Sequence, residues 1–253
     1  MVLEQMMSQQ VDSIQRLKTG ISNLDVLIQG GLPKKSITLV SGPPGSGKSI
    51  FCFQFLYQGV QDGEKVLYLT LDKKEEGLIF QAKKLGIDFQ KAIESGQAKF
   101  RYLNINKKLV YEAMSNEILS GQYQRIVLDS ITPLSEMPMF LENIENGNAE
   151  YSFVKSEENA LANSGPVRRR HLLYIMNALE SSESTSIVTS ELPMGSTNLS
   201  RDGISEFLAD GVITLNFDST MDRRKLTVLK MRNTKHTLKP QEIQINKGGI
   251  TII

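Results

Sequence analysis

The sequence has no tryptophan, one cysteine and two histidines among 253 residues. Cys52 alone excludes an internal disulfide, and with only His171 and His236 there is no convincing zinc-binding pattern. No apolar run approaches the roughly 18 residues that span a bilayer, and the first residues do not resemble a signal peptide. The net charge of +1 predicts no broad attraction to nucleic acid or to anionic membranes. These absences favour a soluble, cytoplasmic protein.

Short apolar segments alternate with longer helical patterns along most of the chain. The apolar segments are β-branched and often apolar at consecutive positions, which is typical of strands buried on both faces. This alternation predicts an α/β fold with a mostly parallel central sheet flanked by helices. The predicted strands are Ser36–Ser41, Lys65–Thr70, Lys99–Leu103, Arg125–Asp129, Ser186–Ser190 and Gly211–Leu215. The predicted helices are Lys48–Val60, Glu75–Leu85, Leu109–Ser120 and Val167–Ser181.

Three segments depart from the alternation. The last strands, Lys225–Met231, Glu242–Ile245 and Ile250–Ile253, follow one another with a turn at Lys247–Gly249, which indicates a small antiparallel edge at the C-terminus. Residues 1–15 are polar and are predicted to be an N-terminal tail or helix ahead of a domain spanning residues 16–253. Residues 134–164 contain six glutamates and one lysine, and we expect an acidic surface insertion in which a short helix can form.

Residues 42–49 match the phosphate-binding pattern G-x-x-x-x-G-K-[ST], known as the P-loop. A predicted strand enters the P-loop and a predicted helix leaves it, which is the context that the pattern requires. Glycines let backbone N–H groups approach phosphate oxygens, and the helix N-terminus adds donors and partial positive charge. Lys48 is expected to contact the β- and γ-phosphates, and Ser49 to coordinate Mg²⁺. The motif therefore predicts binding of ATP with Mg²⁺, through Pro44, Gly45, Ser46, Gly47, Lys48, Ser49 and Ile50.

Asp129 ends the apolar predicted strand that begins at Arg125. In P-loop NTPases an aspartate at such a position holds Mg²⁺ together with the P-loop hydroxyl. An aspartate that only caps a strand end is the alternative. Because the P-loop lies upstream, Asp129 is the best-placed second metal residue.

Several spaced blocks around these motifs are more specific than either motif. Together they resemble the KaiC-like branch of the RecA superfamily of ATPases, in a version with one ATPase domain. The resemblance covers about residues 16–253 and fades across the acidic insertion. The blocks are RLKTG at 16–20, GGLP at 30–33, YLTLD at 68–72, QAKKLGID at 81–88, DSITPL at 129–134, ADGVI at 209–213 and LKMRNTKH at 229–236.

The resemblance implies a RecA-like P-loop domain in a homo-oligomer, usually a ring of six subunits, with ATP between neighbours. It also implies that Lys230 and Arg232 contact the γ-phosphate of the adjacent subunit's ATP, and that His236 lies near the nucleotide. Side-chain alternation places Lys230 and Arg232 on one face of a strand, where two cations can converge on one anion. A solvated basic edge strand is the alternative.

Asp72 and Lys73 depart from the family pattern, which has two adjacent glutamates at this point. A carboxylate base must lie within one water of the γ-phosphate. Asp72 keeps the carboxylate but is one methylene shorter than glutamate, and Lys73 reverses the second charge. Asp72 is either this base or the N-cap of the next helix, with Glu75 as the acid of a capping box. The departure predicts slow hydrolysis, or ATP used as a structural switch.

Three functions are consistent with the sequence. The leading interpretation is a ring-forming, Mg²⁺-dependent ATPase, and the second is an ATP-binding switch or scaffold with little turnover. The third is a recombinase-like protein that binds DNA through the polar stretch Gly195–Gly203. The acidic insertion and the near-zero net charge count against the third, since DNA binding needs clustered Lys and Arg. The sequence indicates no particular protein partner.

Overall fold

The computed structural model describes residues 14–105, 109–120, 122–136, 140–142, 150–152, 165–218 and 220–253. Residues 1–13 of the predicted tail and most of the acidic insertion lie outside the described residues. Within the described residues the strands are β1 Arg16–Leu17, β2 Leu32–Pro33, β3 Ile37–Gly42, β4 Val66–Thr70, β5 Ala98–Tyr102, β6 Arg125–Asp129, β7 Phe140–Glu142, β8 Glu150–Ser152, β9 Thr185–Glu191, β10 Gly211–Asp218, β11 Arg223–Met231, β12 Gln241–Asn246 and β13 Gly249–Ile252. The helices are α1 Leu24–Leu27, α2 Lys48–Gln61, α3 Glu75–Lys84, α4 Gln90–Glu94, α5 Val110–Leu119, α6 Thr132–Glu136, α7 Gly165–Ser181 and α8 Ser205–Leu208.

A nine-stranded sheet in the order β13-β12-β11-β10-β3-β9-β6-β4-β5 forms the centre of the fold. The strands from β10 to β5 in this order pair in parallel. The strands β10, β11, β12 and β13 pair antiparallel. Both predictions, a mostly parallel sheet and an antiparallel C-terminal edge, are confirmed.

Helices cover both faces of the sheet, because the central strands are apolar on both sides. On one face α2 and α3 bury Phe51, Phe55 and Leu78 in one hydrophobic cluster. On the other face α5 and α7 bury their apolar sides in a second cluster, to which they contribute Val110, Met114, Ile118, Leu172, Ile175 and Leu179. The sheet is therefore the middle layer of three.

The carboxyl ends of β3, β4, β6 and β9 meet at one edge of the sheet, because these strands are parallel neighbours. Ligands of open α/β sheets bind outside this edge. The residues that end these strands are Gly42, Thr70, Asp129 and Glu191. The sheet topology thus places the P-loop, which begins at Gly42, beside three polar strand ends.

The described part of the acidic insertion contains more secondary structure than the single short helix expected. Helix α6 lies at its start, and Leu134 of that helix is buried in the core. Further along, β7 and β8 pair antiparallel, with Phe140 opposite Ser152. The insertion therefore includes a two-stranded sheet that its irregular, glutamate-rich sequence did not indicate.

Candidate functional site

The P-loop has the backbone of a phosphate cradle. Gly45 and Gly47 have φ of 81° and 108°, a region that glycine adopts without strain. A Cβ on Gly42 would lie 2.1 Å from the carbonyl oxygen of Leu215, so only glycine fits there. Within the described residues, the N–H groups at 48, 49 and 50 have no backbone acceptor, whereas Phe51 N donates to Gly47 O at 2.9 Å. The start of α2 therefore presents free donors, as an anion-binding helix terminus does.

Two side chains of the P-loop suit a phosphate ligand. The Ser46 hydroxyl is buried and has no hydrogen-bond partner within the described residues. Lys48 is only 8% exposed, and its ammonium donates to the carbonyl oxygens of Gly42 at 2.8 Å and Pro43 at 3.2 Å. Burial lowers the pKa of Lys48, and the nearby carboxylates of Glu191 and Asp129 oppose that shift. An orphaned hydroxyl and a desolvated cation are the partners that a phosphate group satisfies.

Asp129 lies beside the P-loop and accepts three side-chain hydrogen bonds. Ser49 Oγ donates to its Oδ2 at 2.8 Å, and Tyr68 OH donates to the same oxygen at 2.5 Å. Thr189 Oγ1 donates to Oδ1 at 2.5 Å. The two predicted metal residues, Ser49 and Asp129, are thus in direct contact, and Asp129 is held from two further strands.

This pair fits Mg²⁺ bound with a nucleotide. Magnesium is held by one or two carboxylates or hydroxyls together with phosphate oxygens, and seldom by an all-protein cage. Among the described residues no group of three or more His, Cys, Asp and Glu side chains could hold a metal ion alone. The donor set at Ser49 and Asp129 therefore suits a metal that arrives with phosphate.

A cavity of about 350 Å³ opens in front of these residues and is called the P-loop cavity. Its wall carries both signs of charge: Lys48 and Lys73 are cationic, and Asp72, Asp129 and Glu191 are anionic. Six of the seven P-loop and helix-start residues predicted to contact the nucleotide line this cavity, and the buried Ser46 does not. The remaining lining residues outside the P-loop are Thr70, Leu78 and Gln81.

Asp72 faces the cavity and does not cap the following helix. Helix α3 begins at Glu75, and its N-cap residue is Lys74. The side chain of Lys74 makes no capping hydrogen bond. The Asp72 carboxylate instead accepts a long hydrogen bond from Ser130 Oγ at 3.4 Å. Partial burial raises the pKa of Asp72, and the carboxylates of Glu191 and Asp129 raise it further. The prediction of a capping box at Asp72 and Glu75 is therefore wrong. Glu75 Oε1 instead accepts a hydrogen bond from the backbone N–H of Tyr102 at 2.7 Å.

The residues of the site that the sequence did not predict include Tyr68, Thr189 and Glu191. Glu191 is the polar end of a buried parallel strand, and that signal was available in the sequence. Tyr68 and Thr189 contact Asp129 only because β4 and β9 are the neighbours of β6. The order of strands in the sheet was needed to find these two.

Lys230 and Arg232 lie near the amino ends of the parallel strands, whereas the P-loop lies at their carboxyl ends. Met231, between them, is opposite Gly211, and Gly211 pairs with Thr38 near the start of β3, whereas the P-loop follows the end of β3. At about 3.3 Å per residue, the chain from residue 38 to residue 42 spans about 13 Å. The structure therefore does not bring Lys230 or Arg232 to the P-loop of the same chain.

Both cations have partners near these amino ends. Lys230 Nζ donates to the carbonyl oxygens of Glu206 and Ala209, and burial lowers its pKa. Arg232, whose side chain is 60% exposed, forms an ion pair with Asp210 at 3.1 Å. His236 is half-buried, and its Nδ1 has no hydrogen-bond partner within the described residues. None of these three predicted residues lines the P-loop cavity of its own chain.

The polar stretch Gly195–Gly203 carries little positive charge for a DNA-binding loop. Arg201 is its one basic residue, and the Arg201 side chain forms an ion pair with Glu136 at 2.9 Å. A carboxylate at that distance competes with a phosphate for the same guanidinium. The geometry therefore adds nothing in favour of the recombinase-like interpretation.

None of the helices in the described ranges has the length and hydropathy that crossing a membrane requires.

Known proteins resemble this chain in sequence and in fold. The sequence model of the family described as "ATPase: KaiC" matches residues 17–253. A UPF0273 protein of Pyrococcus furiosus is 29% identical, over 94% of this chain and 94% of that protein. The circadian clock protein KaiC3 of Synechocystis is 30% identical, over 98% of this chain and 47% of that protein. A crystal structure of a KaiC-like protein of Pyrococcus horikoshii superposes with a TM-score of 0.76 at 28% identity, covering 95% of this chain and 99% of that one. The chain therefore belongs to the KaiC family of ATPases.

Proposed function

We propose that the protein binds ATP with Mg²⁺ at the P-loop cavity and hydrolyses it slowly, at a site completed by a neighbouring subunit. The observation that carries the proposal is the contact between Ser49 and Asp129 beside a loop of free backbone donors. Lys48, buried against its own loop, supplies the positive charge for the phosphates. The KaiC family of ATPases is the context in which this arrangement is interpreted.

Ser49 and Asp129 would hold the magnesium ion, with Tyr68 and Thr189 orienting the carboxylate. When bound, magnesium offsets the charge of the β- and γ-phosphates. The free N–H groups at the start of α2 bind phosphate oxygens, and the Lys48 ammonium moves from the loop carbonyls to the terminal phosphates. These contacts strengthen as the phosphates displace water from the cavity, because charges interact more strongly where the dielectric is low.

Asp72 is the proposed general base. It lines the cavity, and its raised pKa favours accepting a proton from water more than an ordinary aspartate would. Its reach is one methylene shorter than that of glutamate, and a misplacement of about 1 Å can cost about a hundredfold in rate. Slow turnover follows from that geometry.

The proposed neighbour contributes Lys230 and Arg232. Their distance from the P-loop of their own chain supports this, because a head-to-tail ring brings two different surfaces of neighbouring subunits into contact. The exposed Arg232 would then exchange Asp210 for the γ-phosphate, where an arginine stabilises the charge of the transferring group. His236 of the same neighbour would lie near the nucleotide.

The test compares nucleotide binding, turnover and native mass for the wild type, Lys48→Ala and a control, Lys91→Ala. Lys91 is exposed on α4 and does not line the cavity. We expect Mg²⁺-dependent ATP binding and phosphate release in the wild type and the control, and neither in Lys48→Ala. Native mass measurement with ATP should give a closed oligomer. ATP binding that is unchanged in Lys48→Ala would refute the P-loop assignment, and a persistent monomer would refute the shared site.

An ATP-binding switch with little turnover is the second candidate, favoured by the long Ser130–Asp72 contact and by Lys73 in the cavity. It predicts tight ATP binding without phosphate release. Replacing Asp72 and Lys73 together by glutamates should then raise turnover. If turnover does not rise, this position is not the catalytic one.

A further inference from the structure

Lys73 is a cation in the wall of the P-loop cavity that has no ion-pair partner among the described carboxylates. Its side chain is exposed, and it forms no such pair although Asp72 and Glu191 line the same space. The other lysine of the cavity, Lys48, is already bonded to the loop carbonyls. The Lys73 ammonium is therefore a second positive charge of the wall, and a ligand can bind it without displacing a carboxylate.

The backbone of Lys73 is held by hydrogen bonds, and this exposed residue lines the cavity. The backbone N–H groups of Asp72 and Lys73 both donate to Thr70 Oγ1 at 3.3 Å. This turn directs the chain away from β4 immediately after the strand ends. A backbone that is already held in place loses less conformational entropy when the residue binds a ligand.

Lys73 lies on the same side of the P-loop cavity as Asp129. Thr70, the end of β4, pairs with Asp129, the proposed metal residue. Asp129 would hold magnesium together with the terminal phosphates of a bound nucleotide, so the terminal phosphate is expected at the Asp129 side of the cavity. Lys73 follows Thr70 by three residues and therefore lies on that side.

We propose that Lys73 binds the terminal phosphate within its own chain and gives the cavity a preference for a nucleoside triphosphate over a diphosphate. This inference rests on the proposed function. A lysine ammonium attracts phosphate, whereas a carboxylate at this position would repel it. Lys73 would thus strengthen retention of the triphosphate.

The experiment measures the affinities of ADP and of a non-hydrolysable ATP analogue by competition against a fluorescent nucleotide, at constant free Mg²⁺. Lys73→Met removes the charge, Lys73→Arg keeps it, and Lys74→Met is the matched control. Lys74 is the exposed N-cap of α3 and does not line the cavity. Melting curves check that all variants are folded.

We expect Lys73→Met to weaken binding of the ATP analogue about tenfold and binding of ADP less than about twofold, as for loss of one charge-assisted hydrogen bond. Lys73→Arg and Lys74→Met should keep the wild-type ratio. Added salt should reduce the preference of the wild type more than that of Lys73→Met. An unchanged ratio in Lys73→Met, or an equal loss in Lys74→Met, overturns the inference and leaves the proposed function intact. If the wild type binds neither nucleotide, both fail.

Discussion

The phenol of Tyr68 donates a hydrogen bond to Asp129 Oδ2 at 2.5 Å, and Ser49 donates to the same oxygen. Tyr68 is fully buried and stacks on Phe100, so its ring is held in place. Burial and the adjacent carboxylate of Asp129 raise the pKa of Tyr68, which keeps the phenol protonated as a donor. Tyr68 is therefore a fixed donor that holds the Asp129 carboxylate in place together with Ser49.

Tyr68→Phe should weaken Mg²⁺ binding in the presence of nucleotide by about tenfold, because partners of a metal ligand typically contribute 10- to 100-fold in affinity. The fold should persist, since the ring and its stacking remain. Mn²⁺ paramagnetic resonance with ADP measures the metal affinity directly, without turnover. Tyr57→Phe is the control, because Tyr57 packs against Phe89 in the core. Equal metal affinity in Tyr68→Phe and the wild type would show that Asp129 needs no such support.

Mixing two inactive variants tests whether Arg232 acts between subunits. Lys48→Ala removes the P-loop cation and Arg232→Ala removes the proposed cation of the neighbour. In a randomly mixed ring about a quarter of the interfaces pair an intact P-loop with an intact Arg232. We expect partial recovery of phosphate release after mixing and reassembly. The double variant mixed with Lys48→Ala has no such interface and should stay inactive. Mixed rings that remain inactive, with their composition verified by mass, would contradict the assignment of Arg232.

The pH dependence of turnover tests Asp72 as the base. Its pKa is raised above the ordinary value of 3.8, first by burial and then by Glu191 and Asp129. The base works deprotonated, so turnover should fall as the pH drops through this raised pKa, above 3.8. Glu191→Gln removes one of the raising charges and should move the acid limb to lower pH. Glu76→Gln, an exposed change on α3 outside the cavity, should leave it in place. An acid limb that Glu191→Gln does not move would argue against Asp72.

The parallel sheet could be predicted because its strands are short and apolar in the sequence. The P-loop could be predicted because its spacing of glycines and lysine is typical of phosphate binding. The sequence could not predict which strands are neighbours. Thr189 contacts Asp129 because β9 lies beside β6, although 60 residues separate them in the chain. The choice between Asp72 as a cap and as a cavity residue depended on where α3 begins, and helix boundaries vary by a residue or two in sequence patterns. Long-range neighbours and exact helix starts are properties of tertiary packing.

Arg125 is another residue whose role is visible only in the fold, since a charged residue at the start of an apolar strand is usually exposed. Its side chain is 0% exposed and forms ion pairs with Asp62 and Glu64. It also donates to the backbone carbonyl oxygens of residues 18 and 55. A Cβ on Gly59 would lie 2.7 Å from the Arg125 side chain, so the glycine of α2 makes room for it.

Arg125→Met should therefore lower the free energy of unfolding by about 3 kcal/mol, because it leaves the backbone carbonyl oxygens of residues 18 and 55 and the partly exposed carboxylates of Asp62 and Glu64 without their partner. Denaturant unfolding measures the change. The control is Lys35→Met, which breaks an ion pair with Glu183 whose side chains are 59% and 70% exposed, and it should cost no more than about 1 kcal/mol. Glu64→Gln keeps the shape and weakens only the charge pairing, so its loss should fall between the two. If Arg125→Met is as stable as Lys35→Met, the buried cluster does not stabilise the junction between α2 and β6.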